Sequence, residues 1–187
     1  AGAGILIIED LEYALKRGAN IYAEITGGFI NSGAQRNGGT MSAPNCSATV
    51  KCIESAINMS GIELAKIDYI SGHLTSTMAD VLEIENWTKA LKRKGADFPY
   101  INSVKSMTGH CIGAAGAIEF IAAVLQMQKS IIHPNINCIP LHPKILNLID
   151  INFVPLKTIN KEINTFVKLS LGFGDVNACL VAKKYKQ

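Results

Sequence analysis

Short apolar segments alternate with amphipathic segments along most of the chain, and this alternation restricts the possible folds more than any other feature. Short apolar runs bounded by turn residues are typical of buried strands, and apolar residues at helical spacing indicate helices. The pattern predicts strands at 4–9, 21–30, 67–71, 100–104, 151–154, 165–171 and 176–182, and helices at 11–17, 48–59, 78–94 and 111–128. Strands that alternate with helices favour an α/β sandwich with a mostly buried sheet.

Three details refine this prediction. The last two strands are separated only by Gly172-Phe173-Gly174, which favours an antiparallel pair. The helix at 111–128 is apolar nearly all round, which marks it as buried. The segment 31–46 is rich in Asn, Gly and Ser, and a loop of this length in a compact domain is usually functional or mobile.

Composition excludes several classes of protein. With 187 residues, 48% of them apolar, the chain can bury a real core and is not disordered. A net charge of +3 is too weak for a nucleic-acid surface, and no apolar run is long enough to span a membrane. The five cysteines form no CxxC pair, which favours reduced thiols and a cytoplasmic location.

Candidate chemistry falls at the ends of three predicted strands. His73 follows the strand at 67–71, Lys105 and His110 follow the strand at 100–104, and Phe173 follows the strand at 165–171. Open α/β sheets place their sites beyond the carboxyl ends of strands. If these strands are parallel, the four side chains converge on one edge of the sheet.

His110 precedes the predicted helix at 111–128. The positive end of the helix dipole and the nearby Lys105 both disfavour the imidazolium, so the neutral ring can donate an N–H to a developing oxyanion. The alternative is a histidine that only caps a buried helix. A second histidine and a lysine at the same sheet edge favour a site.

Thr75 and Thr77 follow His73, and their hydroxyl groups can both donate and accept hydrogen bonds. Such a row suits an amide-bearing arm that passes along it. The alternative for Thr77 is an N-cap of the helix predicted from residue 78, and both roles are compatible.

Other chemistries find little support. The chain has neither GxGxxG nor a P-loop, and the small residues at 113–117 suit close helix packing, so nucleotide binding is rejected. We expect no metal, since neither His73 nor His110 has a partner at ligand spacing. Asp80 and Glu83 share one face of a charged helix, where solvation explains them, and Cys111 suits a buried thiol better than a nucleophile.

Three motifs together resemble the β-ketoacyl-acyl-carrier-protein synthases of the elongating type: His-Leu-Thr-Ser-Thr at 73–77, Lys-Ser-Met-Thr-Gly-His at 105–110 and Gly-Phe-Gly at 172–174. Residues 2–24 look like the family's strand pair just after its catalytic cysteine region. The resemblance implies a thiolase-like fold, a layered α/β sandwich with a mixed sheet. Residues 31–187 would form its C-terminal domain, and residues 1–30 the closing strands of an upstream N-terminal half.

The resemblance also implies an activity: decarboxylative Claisen condensation of a cysteine-bound acyl chain with malonyl-acyl carrier protein, in fatty acid or related polyketide biosynthesis. His73 and His110 would bind the malonyl thioester carbonyl, and Lys105 would support them with Glu83 as its ion partner. Phe173 would stand at the gate of the acyl pocket, with its backbone N–H in the oxyanion hole. Thr75 and Thr77 would hold the phosphopantetheine arm of acyl carrier protein, so the enzyme would need no cofactor of its own and would be a homodimer.

The sequence departs from the family pattern at two positions. Leu74 replaces a glycine, so the loop must differ if that glycine needs a positive φ. Asp175 replaces a glycine beside the gate, where a carboxylate would repel malonate or change the mobility of the gate.

The family's nucleophilic cysteine lies upstream of the matching region, and none of the five cysteines here corresponds to it. We therefore expect this polypeptide to be a fragment that is inactive alone. The alternative is a non-catalytic partner subunit that resembles a chain-length factor. The intact His73, Lys105 and His110 favour the enzyme, whereas Leu74 and Asp175 favour the partner.

Overall fold

The structure, a computed structural model, describes residues 1–186. Within these residues the α-helices are α1 (Leu11–Lys16), α2 (Cys46–Ser60), α3 (Ala79–Leu91), α4 (Lys105–Thr108), α5 (Ala115–Lys129) and α6 (Pro143–Leu146). The strands are β1 (Glu24–Ser32), β2 (Tyr69–Ser71), β3 (Tyr100–Asn102), β4 (Ile131–Ile132), β5 (Ile159–Asn160), β6 (Thr165–Gly172) and β7 (Val176–Lys183). Short 3-10 turns lie at Leu64–Lys66, Ile112–Ala114 and Ile151–Phe153.

Five of these strands form one mixed sheet, in the order β1-β7-β6-β2-β3. Strands β6, β2 and β3 are parallel, whereas β7 is antiparallel to both β6 and β1. The predicted antiparallel pair is therefore confirmed, as are the α/β class and the mixed sheet. The parallel strands bring the ends of β2, β3 and β6 to one edge, as the sequence predicts.

The two faces of the sheet carry separate apolar cores because side chains alternate along each strand. On one face Ile70 and Val167 pack with α2 and α3, around the fully buried Trp87. On the other face their neighbours Tyr69 and Phe166 pack with α5. The sheet is thus covered by helices on both sides, which is why β2 and residues 165–169 of β6 are buried at every position.

Helix α2 lies close to the sheet because of one glycine. A Cβ on Gly27 of β1 would come within 2.3 Å of the carbonyl oxygen of Ala56, so any other residue would push the helix away. The helix begins at an Asn45 cap, whose side chain accepts the N–H groups of Ser47 and Ala48. It ends at Gly61, which adopts the left-handed conformation at φ +66°.

Three predicted elements differ from the structure. Residues 4–9 form no strand, and Ile5 and Ile7 are exposed, because no strand within residues 1–186 pairs with this apolar run. Residues 151–153 form a 3-10 turn capped by Asp150 and not a strand. The helix predicted at 111–128 begins only at Ala115 and is buried on one face, whereas Leu125 on the other is exposed.

Strand β1 crosses the predicted boundary between residues 30 and 31 and pairs with β7 from Glu24 to Ser32. The division into 1–30 and 31–187 stays a prediction. Among residues 1–186, no helix combines the length and the apolar character that crossing a bilayer requires.

Candidate active site

The loops that follow β2, β3 and β6 meet at a cleft of about 540 Å³. His73 and His110 line this cleft from two of the loops, and Phe173 lines it from the turn after β6. Thr75 and Thr77 complete the set of predicted residues on its wall. The cleft lies at the carboxyl ends of the parallel strands, where α/β sheets usually place their sites.

The two histidine rings lie next to each other on the wall of the cleft. Their centroids are 5.3 Å apart, and the rings meet edge to face. Nδ1 of His110 accepts the backbone N–H of Ile112 at 3.2 Å, so in the neutral ring the proton belongs on Nε2. His110 can therefore donate a hydrogen bond through Nε2.

Both histidines favour the neutral form. Burial lowers the pKa of His73 to about 3, and the charges of Lys105 and Lys168 act in the same direction. Burial also lowers the pKa of His110, again helped by Lys105. The predicted contribution of a helix dipole is not supported, because α5 begins five residues after His110, at Ala115.

Lys105 connects the backbone of His73 to a buried carboxylate. Its Nζ donates to the carbonyl oxygen of His73 at 2.5 Å and forms an ion pair with Glu119 on α5. The other oxygen of Glu119 lies 2.6 Å from Nζ of Lys168 on β6. All three charged side chains are almost completely removed from solvent.

The predicted ion pair between Lys105 and Glu83 is therefore wrong. Glu83 is buried and uses its carboxylate to accept the backbone N–H groups of His73 and Leu74, at 2.7 and 2.8 Å. It also accepts the indole N–H of Trp87 at 3.2 Å. Glu83 thus shapes the loop that carries His73, and it is not the solvated surface residue that its charged helix suggested.

The threonine loop is ordered in the same way by a second carboxylate. Asp80 accepts the backbone N–H groups of Thr75 and Ser76, and Ser76 adopts the left-handed conformation at φ +61°. The hydroxyl groups of Thr75 and Thr77 lie 3.1 Å apart. Thr77 also accepts the N–H of Ala79 at 3.3 Å, but the N-cap of α3 is Met78, so the predicted N-cap role of Thr77 is wrong and Thr77 lies one residue before the cap.

The two departures from the family pattern have structural roles. Leu74 does not take the strained conformation of the loop, which falls on Ser76, and its side chain packs against the core that contains Trp87. Asp175 is 3% exposed, and its carboxylate accepts the N–H groups of Gln35 and Asn45 from the loop 33–45. Both oxygens therefore hold that loop, and because Asp175 also lines the cleft, its predicted repulsion of malonate stays a prediction.

Phe173 is 73% exposed at the tip of the turn between β6 and β7. The turn is fixed from below, since Gly174 donates its N–H to the carbonyl oxygen of Met41 at 2.9 Å. The aromatic ring therefore projects from an anchored turn at the wall of the cleft, a position suited to a gate.

Glu119 and Lys168 are the site residues that sequence reasoning missed. Each interrupts an otherwise apolar segment, Glu119 between Ile118 and Phe120 and Lys168 between Val167 and Leu169. Burying a charge inside an apolar strand or helix costs free energy unless the charge is paired. A charged residue in an apolar segment therefore indicates a buried ion pair, and this is the sequence feature that points to Glu119 and Lys168.

The arrangement offers two neutral imidazoles, one with its donor fixed on Nε2, in front of a buried cluster that holds two lysines and one glutamate. Such a site favours an oxyanion, because preformed donors and nearby positive charge stabilise it without reorganisation. Among the described residues, no group of three histidine, cysteine or acidic side chains is placed to hold a metal ion.

Comparison with known proteins agrees with the motifs. Residues 22–139 match the family described as "Beta-ketoacyl synthase, C-terminal domain". A "3-oxoacyl-[acyl-carrier-protein] synthase 2" of Rhizobium meliloti (strain 1021) is 37% identical over 98% of this chain and 42% of its own length.

Two solved structures give the same result at the level of the fold. One is a type II PKS acyl-carrier protein in complex with its ketosynthase, and the other is the ishigamide ketosynthase/chain length factor. Each is 32% identical, with a TM-score of 0.83. The first match covers 95% of this chain and 42% of that chain, and the second covers 94% of this chain and 41% of that chain.

The fold is therefore the thiolase-like fold of ketosynthases, and the chain spans less than half the length of these relatives. By its motifs, its fold and the match over residues 22–139, the chain belongs to the β-ketoacyl synthase family and contains the C-terminal domain of that family.

Proposed function

We propose that this chain is the C-terminal part of a 3-oxoacyl-[acyl-carrier-protein] synthase. The enzyme would join an acyl chain to the malonyl unit of malonyl-acyl carrier protein by decarboxylative Claisen condensation. The observation that carries the proposal is the pair of facing, neutral histidines, His73 and His110, at the carboxyl edge of the sheet.

The chemistry needs a stabilised enolate. The bond between the malonyl carboxylate and its α-carbon breaks, carbon dioxide leaves, and the electron pair forms the enolate of the carrier-bound thioester. The enolate carbon then attacks the acyl thioester on the nucleophilic cysteine, and the cysteine leaves as a thiolate. Donors from His73 and His110 would bind the thioester oxygen where negative charge develops.

Neutrality of the imidazoles suits this reaction. A neutral ring donates one N–H but does not protonate the enolate, whereas an imidazolium can quench the carbanion before it attacks. Burial and the cations of Lys105 and Lys168 keep His73 neutral at physiological pH, in agreement with this requirement.

The remaining residues of the cleft fit a carrier-bound substrate. Thr75 and Thr77 present hydroxyl groups at the cleft wall and would hold the amide-bearing phosphopantetheine arm, and Phe173 would gate the acyl pocket with its N–H in the oxyanion hole. The partner would be acyl carrier protein, as in the solved ketosynthase complex. Five free thiols are consistent with a reducing, cytoplasmic compartment.

The family resemblance supports three further elements of the proposal: a homodimer, no resident cofactor, and a nucleophilic cysteine supplied from outside these 187 residues. Residues 1–30 would then belong with the upstream half and residues 31–187 with the C-terminal domain. This polypeptide alone is expected to show no condensation.

The test is condensation by the natural full-length protein with acyl and malonyl carrier proteins, followed by mass spectrometry of the product. His73→Ala and His110→Ala should each abolish the elongated product while acyl transfer to the protein persists. A matched control is His142→Asn, since His142 caps α6 outside the cleft and Asn keeps the cap.

Two results separate this proposal from its alternatives. Condensation that persists in both histidine variants contradicts the site. The chain is instead a chain-length-factor-like partner if two results occur together. The wild-type full-length protein shows neither acyl transfer nor condensation, and activity is restored when a second ketosynthase subunit is added.

A further inference from the structure

Lys168 is a buried lysine in the middle of strand β6. It is 2% exposed, and its Nζ lies 2.6 Å from one oxygen of Glu119 and 3.1 Å from the hydroxyl of Ser170. It also donates to the carbonyl oxygen of Leu169. The ammonium group therefore has two hydrogen-bond acceptors and one ion-pair partner, which offset the cost of burying a cation.

The cluster that contains Lys168 carries one positive charge in excess. Lys105 binds one oxygen of Glu119 and Lys168 binds the other, so two cations share one anion. Pairing of Glu119 needs only one of the lysines. An apolar residue at position 168 would fit between Val167 and Leu169 with a smaller desolvation penalty, so stability alone does not account for the second lysine.

The excess charge is connected to the histidine loop through Lys105, which donates to the carbonyl oxygen of His73 and shares Glu119 with Lys168. Lys168 acts on both His73 and His110, and in each case it disfavours the charged ring, as Lys105 does. The other ionisable groups that face Lys168 are Glu119 from α5, Glu83 from α3 and Cys179 from β7. Burial lowers the pKa of Lys168 itself, and Glu119 opposes that effect.

We propose that Lys168 is a positioning residue for the histidine pair: together with Lys105 it clamps both oxygens of Glu119, and its charge keeps the imidazoles neutral and favours an anion in front of them. The effect of Lys168 on catalysis rests on the proposed function. The effect of Lys168 on the charge of the histidines is independent of that function.

Two variants remove the charge of Lys168 from the natural full-length protein. Lys168→Met replaces the side chain with an apolar one of similar length, and Lys168→Gln keeps a donor for Glu119 in case the methionine variant does not fold. The double variant Lys168→Met with Glu119→Gln serves as a charge-balanced control, because it leaves Lys105 as the single net positive charge of the cluster. Lys183→Met removes a partly exposed lysine that pairs with Glu24 on β1 and is the surface control.

The first readout is independent of catalysis. Diethyl pyrocarbonate reacts with the neutral imidazole, so carbethoxylation of His110 reports the fraction of neutral ring. Peptide mass spectrometry quantifies this reaction between pH 4.5 and 8, roughly the range in which histidines titrate. The half-reactive pH is the pH at which His110 reacts at half its maximal rate. Removal of one buried charge should raise it by about one unit in both single variants, whereas the double variant and Lys183→Met should match the wild type.

The second readout is the pH dependence of malonyl-acyl carrier protein decarboxylation, whose acidic limb should move upward by the same amount in the single variants. An unchanged half-reactive pH of His110 in both single variants overturns the proposal, since Lys168 then acts only through packing or is itself uncharged. A shift in His110 reactivity without a shift of the acidic limb overturns its role in catalysis. If the wild type does not decarboxylate malonyl-acyl carrier protein, the proposed function fails, and the His110 titration still decides whether Lys168 sets the charge of the pair.

Discussion

At the scale of single residues, the position of His73 depends on side chains that never reach the cleft. Its backbone N–H is bound by Glu83, and its carbonyl oxygen is bound by Lys105. A backbone fixed on both sides of the residue restricts where the imidazole can point. In the proposed enzyme, a buried carboxylate and a buried lysine would thus position the imidazole although neither side chain lines the cleft.

Glu83→Gln should destabilise the protein by about 2 kcal/mol, because the amide offers a donor where two backbone N–H groups need acceptors. Glu85→Gln on the same helix, at a partly buried position where the carboxylate accepts no backbone N–H, should change the free energy of unfolding by less than about 0.5 kcal/mol. Urea unfolding measures both. Equal stability of the Glu83 variant and the wild type would contradict the role assigned to this carboxylate.

The neutral state of His73 links stability to pH. Its pKa is about 3 in the folded chain against 6.5 for an unperturbed histidine, so the unfolded state binds more protons below pH 6.5. The stability contribution of the neutral ring is complete above that value and is lost as the pH falls towards 3.

The wild type should therefore lose about 1 kcal/mol more than His73→Asn between pH 7 and pH 5, after allowance for the partial exposure of the ring. Unfolding by urea at the two pH values gives this difference. Parallel pH dependence of the two proteins would mean that His73 is protonated as easily in the folded as in the unfolded chain.

At the scale of elements, the loop 33–45 is held against the site by the turn between β6 and β7. Asp175 accepts the N–H groups of Gln35 and Asn45, and a Cβ on Gly33 would lie 1.9 Å from its Oδ2. The same turn carries Phe173. The loop and the proposed gate are thus parts of one connected unit.

Asp175→Ala should expose the amides of Gln35 and Asn45 to solvent and raise their hydrogen exchange rates at least about tenfold, because their acceptor is lost. Asp175→Asn keeps one carbonyl acceptor, so its exchange rates should lie between those of the wild type and those of Asp175→Ala. Asp97→Ala, at an exposed position, is the control. Unchanged exchange at both amides would show that the loop is ordered without Asp175.

Helices and strands whose apolar residues recur at regular spacing are predictable from the sequence. Segments whose structure depends on pairing with residues far away in the chain are not. The hairpin of β6 and β7 and the helices α2 and α3 lie within a few residues of their predicted bounds. The apolar run at 4–9 shares the pattern of a strand, but no strand in the described part of the chain pairs with it. Apolar character alone indicates that a segment can be buried and not which surface buries it.

The site shows the same division. His73, Lys105, His110 and Phe173 were identified because each follows a strand, and the parallel sheet brings them together. The partner of Lys105 was assigned to Glu83, whereas Glu119 holds that place. Since Glu119 reaches Lys105 and Lys168 only through the packing of α5 against β6, no local pattern contains this pairing.

At the scale of the whole molecule, the sheet determines both stability and site. Helices α2 and α3 cover one face and α5 covers the other, so the edge where β2, β3 and β6 end remains open to a substrate. Helix α5 has a double role, because Phe120 and Met127 bury the face of the sheet while Glu119 anchors the two lysines.

The most direct test of the account is the rate of malonyl-acyl carrier protein decarboxylation by the natural full-length protein, measured as release of labelled carbon dioxide. If His73 and His110 stabilise one enolate oxygen, each alanine variant should lose at least about 100-fold, and the double variant little more than either. His142→Asn should retain the wild-type rate. A rate within about twofold of the wild type in either single variant would contradict the assignment of the histidine pair to the enolate.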